Sequence, residues 1–166
     1  MPSQHISYEN FCSFKCFTKS NDMTPIKHLF HINAPIESDF SALTNKEKLS
    51  AWYTTGVAGS FEKGAIVTFD FKDFAKFKFK IVAYEENQSI YLECVESEWE
   101  NIGHIMKYDL DTHEGKTRVR YTYEGFTVMD DSYANMNYSS GKYLESLRQY
   151  LQTGQGEAFG SPNYRS

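Results

Sequence analysis

Residues 130–154 read DDSYANMNYSSGKYLESLRQYLQTG, and the fold turns on this stretch. Tyr133, Met136, Ser140, Tyr143, Leu144, Leu147, Tyr150 and Leu151 fall on one side of a helical wheel, the stripe of an amphipathic helix. Asp130, Asp131 and Ser132 supply side-chain oxygens for the unpaired amides of a first turn, and the acids suit the positive end of the helix dipole. Gly154 and Gly156 stop the run. At 1.5 Å per residue the helix is about 30 Å long, enough to cross a whole sheet. It has two soft spots. Gly141 costs roughly 1 kcal/mol relative to alanine in a helix interior. Ser140 places a small polar group inside the apolar stripe.

Upstream the period changes from helical to alternating. Ile26–Ile32 puts Ile26, His28, Phe30 and Ile32 on one side and Lys27, Leu29 and His31 on the other, a first strand. Asn33-Ala34-Pro35 ends it, with Pro35 at the first position of a short helix that carries Ile36, Phe40 and Leu43 on one face. Thr44-Asn45 breaks and caps, and Leu49 and Trp52 mark a second short helix. A turn punctuated by Gly56, Gly59 and Gly64 follows. Strands are then predicted over Ala65–Lys72, Phe77–Tyr84, Ser89–Glu96, Gly103–Leu110 and Lys116–Glu124. Each alternates apolar with polar residues, so the sheet has one wet face. Glu85-Glu86-Asn87-Gln88 and His113-Glu114-Gly115-Lys116 are short turns, which makes the sheet antiparallel. The fold class is therefore α+β, a curved antiparallel β-sheet wrapped around a long C-terminal α-helix, with two short helices after the first strand. Strong curvature leaves a space between sheet and helix that large aromatics either fill or line.

Composition sets the outer limits. The 166 residues carry 17 Lys+Arg against 22 Asp+Glu, a net charge of -5. That balance lacks the basic footprint of non-specific nucleic-acid or anionic-membrane binding. No apolar run reaches the ~20 residues of a membrane helix. The unusual figure is 16% aromatic residues, with 13 Phe, 12 Tyr and 2 Trp, which points to large packed or cavity-lining surfaces. Three cysteines, Cys12, Cys16 and Cys94, fit a reducing, cytoplasmic setting better than a disulfide scaffold. Cys12 and Cys16 are half a zinc site with no second ligand pair, and read as two thiols in a loose segment. No metal is expected. Nor is a cofactor: the sequence has no phosphate-binding glycine loop, dinucleotide fingerprint or zinc helix motif. Residues 1–22 read as a peripheral N-terminal extension with aromatics at Tyr8, Phe11, Phe14 and Phe17 and without the pattern of a secretory signal. Residues 23–158 form the domain and 159–166 a C-terminal tail.

A set of motifs carries a family resemblance. They are Ala34-Pro35-Ile36 to Leu43-Thr44, Lys48-Leu49-Ser50-Ala51-Trp52, the glycine turn to Gly64 and Ser97-Glu98-Trp99. Thr117-Arg118-Val119, Thr122-Tyr123-Glu124-Gly125-Phe126, Gly141 to Leu147 and Tyr150 to Gly154 continue the series. In this order and spacing they resemble the helix-grip superfamily of START-related, birch-pollen-allergen-like domains (SRPBCC). Within it they resemble the branch named after the activator of heat-shock protein 90 ATPase. The resemblance spans about residues 24–158. It implies the helix-grip fold and leaves function open, because the family hosts many activities. Two positions depart from the family pattern. Ser140 stands where many relatives carry Trp before the glycine, and Tyr53 stands for the second Trp of a pair. A missing Trp removes about 200 Å² of apolar filling, which implies a roomier or more polar cavity near Ser140, unless Tyr133, Tyr143 or Phe126 moves in.

The candidate lining of that cavity is Val67, Phe69, Phe79 and Leu92 from the earlier strands, His104, Met106, Tyr108 and Tyr121 from the later ones, and Tyr143 and Leu147 from the helix. His104 reads first as a strand-end histidine bonded to backbone or water, and second as a pocket group with a movable pKa. For Tyr108, Tyr121 and Tyr123, core and ligand-facing roles stand level. Glu93, Glu96, Glu98 and Glu100 read as solvated charge, and Arg118 and Arg120 as outer-face ion-pair partners. No catalytic residue is assigned. The primary expectation is a binding protein for a small hydrophobic or lipid-like molecule, monomeric or homodimeric. The alternative, implied by the branch name, is a co-chaperone-like interaction module. A cavity enzyme of cyclase, dehydratase or hydrolase type, using His104 and a pocket tyrosine, is the third.

Overall fold

The computed structural model describes residues 23–165; the Cys12 and Cys16 thiols and the aromatic repeat of residues 1–22 lie outside the described residues, as does Ser166. In chain order the elements are β1 (Ile26–Ile32), α1 (Ile36–Thr44), α2 (Lys46–Trp52), β2 (Gly56–Gly59), β3 (Ile66–Asp70), β4 (Lys76–Glu85), β5 (Ser89–Ser97), β6 (Ile105–His113), β7 (Lys116–Glu124) and α3 (Asp131–Thr153). The strands form one antiparallel sheet in the order β1-β7-β6-β5-β4-β3-β2. The class is α+β and the arrangement is the helix grip: a curved sheet, two short helices and a long helix laid into its concave face.

Register aligns the inner rows across the whole sheet. Val67 faces Phe79, Phe69 faces Phe77, Ile81 faces Leu92 and Tyr108 faces Tyr121. These residues are buried while their neighbours in sequence are exposed or half-buried, the signature of a sheet with one dry face. Irregular pairing at Lys78/Phe79 and Ile81/Ala83 bends the sheet in mid-strand. The β6–β7 hairpin turns on Glu114 and Gly115, both at positive φ (50° and 74°), the backbone that matches the twist of a tight hairpin. On the wet face Arg118 and Arg120 both reach Asp111 across the hairpin, at 2.7 and 2.8 Å, as the alternation predicts.

Two local readings are corrected. Gly56–Gly59, taken as part of a turn, is an edge strand. A Cβ on Gly56 would lie 2.6 Å from the Asp70 carbonyl oxygen, so glycine is what lets this strand lie against β3. Pro35 occupies the N-cap of α1 with extended backbone, one residue earlier than expected.

Helix α3 begins where the acids predicted. The Asp130 carboxylate accepts from the Tyr133 amide at 3.0 Å, and Gly154 ends the helix in the left-handed conformation at φ 81°. Leu144, Ser146 and Leu147 are its most deeply buried positions together with Ser140. Ser146 joins three parts of the chain. Its hydroxyl donates to the Trp52 carbonyl (2.7 Å) and accepts from the Glu157 amide (2.6 Å). Trp52 in turn donates its indole N–H to the Ala42 carbonyl. Beyond α3 the chain turns back along the end of α2. Phe159 donates its amide to the Tyr53 carbonyl, and its own carbonyl accepts from Thr55. Residues 157–164 therefore form a strap that brings Phe159 and Tyr164 to the concave side of the sheet.

Candidate functional site

A cavity of about 410 Å³ lies between the concave face and α3. Each element contributes side chains dictated by its own period. From the β3–β4 region come Phe71, Phe74, Phe77 and Phe79, and from the turn after β5 come Trp99 and Asn101. Strands β6 and β7 present Met106, Tyr108, Tyr121 and Tyr123, alternate residues of the inner row. Helix α3 presents Met136, Ser140, Tyr143 and Leu144, and Tyr53, Phe159 and Tyr164 close the side near α2. Phe74, Asn135 and Tyr138 are exposed lining residues and mark the mouth.

The walls are aromatic and meet mostly edge to face. Phe77 and Trp99 have ring centres 5.1 Å apart at 81°, Tyr53 and Tyr143 4.9 Å apart at 74°, and Phe159 and Tyr164 5.0 Å apart at 65°. This geometry is the favoured one for ring quadrupoles and gives the cavity a rigid lining.

Its polar groups are few. The Tyr121 hydroxyl lies 3.3 Å from Ser140 Oγ, and Asn101 Nδ2 donates to the Tyr123 hydroxyl at 3.4 Å. Burial, reinforced by the neighbouring phenols, holds the pKa of Tyr53 far above its ordinary value. Burial does the same for Tyr108, Tyr121 and Tyr143, and pushes Tyr123 up to about 12. All five phenols are therefore neutral near pH 7 and offer protons rather than charge. Lys142, the cationic residue of the lining, turns its Nζ over the Tyr164 ring at 4.0 Å and donates to the Arg165 carbonyl. No paired acid and base meet in the cavity, and no cluster of metal-ligating side chains exists among the described residues.

Of the ten residues expected to line the cavity, Phe79, Met106, Tyr108, Tyr121 and Tyr143 do. Val67, Phe69, Leu92 and Leu147 share the same rows but lie in closed core outside the lining. His104 also lies outside it. Its ring is wedged against Phe126 (4.7 Å) and Tyr123 (5.7 Å) and sits on Gly125, where a Cβ would come within 2.2 Å. Its Nδ1 is buried without a hydrogen-bond partner, and burial lowers its pKa. The reading of His104 as a pocket acid or base is corrected accordingly: the row it belongs to extends beyond the end of the cavity. Ser140 lines the cavity as its small size implies; Tyr133 packs on Phe126 instead, at 5.3 Å. Cys94 is fully buried, and burial raises its thiol to about 11, which keeps it unreactive at neutral pH.

The sequence reading missed Phe71, Phe77, Trp99, Asn101, Phe159 and Tyr164. Phe71 and Phe77 carried a signal, since they continue the rows of Phe69 and Phe79. Phe159 and Tyr164 follow the last periodic element and carried none.

Comparison with known proteins gives the family. The family described as "Activator of Hsp90 ATPase homolog 1-like protein" matches residues 33–152. No curated protein matches the chain significantly. Among solved structures, the Aha1 dimer from Colwellia psychrerythraea is similar at 27% identity and a TM-score of 0.76, covering 81% of this chain and 100% of that one. SSP2350 from Staphylococcus saprophyticus shares 21% identity with a TM-score of 0.66 over 80% of this chain and 95% of that one. DynU16, from the dynemicin biosynthetic locus, shares 15% identity with a TM-score of 0.72 over 80% of this chain and 48% of that one. The last two likenesses concern fold alone. With most of its length matched and the helix grip in place, the chain belongs to the activator of Hsp90 ATPase homolog 1-like family of the SRPBCC superfamily.

Proposed function

We propose that the protein binds a small, largely hydrophobic molecule in the aromatic cavity between the sheet and α3. The observation that carries this reading is an open volume of about 410 Å³ inside a core whose remaining inner-row residues are tightly closed. Native interiors leave few voids larger than a water molecule, so a space of this size with rigid aromatic walls suits an occupant. A ligand burying about 200 Å² of apolar surface there gains roughly 5 kcal/mol from the hydrophobic effect alone. Titration with an environment-sensitive apolar dye such as 8-anilinonaphthalene-1-sulfonate tests the reading. Saturable binding with one site per chain supports it, and no enhancement at saturating protein opposes it.

The family description and the dimeric Colwellia relative support a second reading, a chaperone-ATPase activator that works as a homodimer. Stimulation of a cognate chaperone's ATPase and the sedimentation mass test it. On either reading the site of action is the cytoplasm.

A further inference from the structure

The antiparallel topology gathers four connections at one end of the sheet. They are the entry to β1, the β3–β4 turn (71–75), the β5–β6 connection (98–104) and the β7–α3 connection (125–130). Register fixes this, since Ile26 pairs with Tyr123, Ile105 with Glu124, Phe77 with Ser97 and Asp70 with Lys76. The mouth of the cavity lies at the same end, between Phe74 and the first turns of α3. Six large apolar side chains stand here 52–73% exposed: Met23, Phe74, Ile102, Val128, Met129 and Tyr138. Single exposed apolar residues are ordinary, but a group of them on one rim marks a surface that something covers.

The rim is also acidic. Asp73, Glu98, Glu100, Asp130 and Asp131 are exposed on these connections or at the first residue of α3, against one lysine, Lys72. None of the five forms an ion pair among the described residues. An occupant therefore needs apolar side chains together with positive charge, and an anionic lipid surface is repelled. The chain itself supplies such a segment. Residues 11–19 read FCSFKCFTK, with Phe11, Phe14 and Phe17 three apart, Lys15 and Lys19 among them, and no acid. This segment leads straight to the rim. The Thr24 amide donates to the Phe126 carbonyl at 2.9 Å, which places Met23 beside the connection that carries Val128 and Met129. Its reach is sufficient. From β1 to β4 is four inter-strand spacings, about 19 Å. Phe17 lies six residues before Met23 and so extends up to about 20 Å from it, with Phe14 and Phe11 reaching further. We propose that residues 11–19 dock across this rim, the three phenylalanines on its apolar side chains and the two lysines against its carboxylates, so that the chain covers the mouth of its own cavity. The covering holds for a filled and an empty cavity alike.

The test attaches a nitroxide to Cys16 of the full chain carrying Cys12→Ser. Cys94 is buried and takes no label. Amide NMR signals are compared before and after reduction of the nitroxide. The expected result is that the radical removes the signals of Phe74, Trp99, Ile102 and Val128 and spares those of Glu86 and Glu114 at the far end of the sheet. Adding Phe11→Ser, Phe14→Ser and Phe17→Ser should restore the signals of Phe74 and Trp99, which lie farthest along the rim from Met23. Lys15→Glu with Lys19→Glu should restore them in part. Phe74 and Trp99 signals that the radical leaves intact would overturn the proposal and leave the rim to a separate partner. A loss that the triple phenylalanine substitution does not relieve would overturn it as well, because the tether alone would then account for it. Loss of rim signals in isotope-labelled chains without the radical, when mixed with spin-labelled chains, would show that the segment covers a second copy instead of its own chain.

Discussion

Ser140 Oγ, in the middle of α3, stands 3.3 Å from the hydroxyl of Tyr121 on β7, and this contact ties the helix to the sheet beside the cavity. A larger residue at position 140 would occupy the space that Ser140 leaves open. Ser140→Trp is therefore expected to leave the fold intact and to abolish binding of an apolar fluorescent dye. Dye titration and a thermal melt on the same preparation check it. Unchanged dye binding would show that the dye does not occupy the space beside position 140, and a large loss of stability would show that this space is already filled.

The Asp39 carboxyl is fully buried in α1, with neither oxygen hydrogen-bonded. The hydroxyl of the nearby Thr117 gives its proton to the Ala34 carbonyl at 2.8 Å. Burial pushes Asp39 up to about 7. In the unfolded chain the same group titrates near 4. The folded state thus holds a proton that the unfolded state has lost between about pH 4 and 7. The contribution of Asp39 to stability is greatest below pH 4, falls as pH rises through that window, and is lost above pH 7. Asp39→Asn should stabilise the protein at pH 8 by roughly 2–4 kcal/mol and have little effect at pH 4. Urea denaturation at the two pH values measures this directly. Equal effects at both would show that Asp39 does not titrate in the window.

Gly125 and His104 are coupled by contact. Gly125 has φ 122°, and a Cβ there would come within 2.2 Å of the His104 ring. Gly125→Ala should cost about 3 kcal/mol or more through backbone strain and overlap. Adding His104→Ala removes the overlap, so the double variant should be less destabilised than the sum of the single ones. Additive losses in a thermodynamic cycle would place the cost in the backbone alone.

Ser146 links stability to the site. Its hydroxyl holds both the Trp52 carbonyl and the Glu157 amide, which starts the strap carrying Phe159 and Tyr164 to the cavity. Ser146→Ala leaves both groups unpaired and should cost about 2 kcal/mol. It should also weaken dye binding several-fold, because two walls of the cavity lose their anchor. Hydrogen exchange of the Glu157 and Phe159 amides is the finer check. Protection equal to wild type would separate the strap from Ser146.

The fold was legible wherever a period was long. Asp130 and Gly154 bound α3 in the sequence and in the structure because capping chemistry is local. The strands were legible because alternation survives over five or more residues, as in Lys116–Glu124. Gly56–Gly59 was not, since Gly-Val-Ala-Gly has too little side chain to alternate and its pairing with β3 is a long-range fact. The site was half legible for a related reason. Alternation shows which row faces inward but not where the helix stands away from the sheet. Leu92 and Tyr108 both belong to inward rows, yet Leu92 lies in closed core and Tyr108 on the cavity wall. Phe159 and Tyr164 reach the wall through the strap, which Gly156 permits by passing close to Ala51 and Trp52. No local pattern announces such a path.

The most direct test of the central claim is native mass spectrometry of gently purified protein, compared with its denatured mass. A ligand-filled cavity gives a discrete extra mass of small-molecule size that disappears on denaturation and is absent from Ser140→Trp. A bare chain mass under native conditions, together with no binding of an added apolar dye, would contradict it.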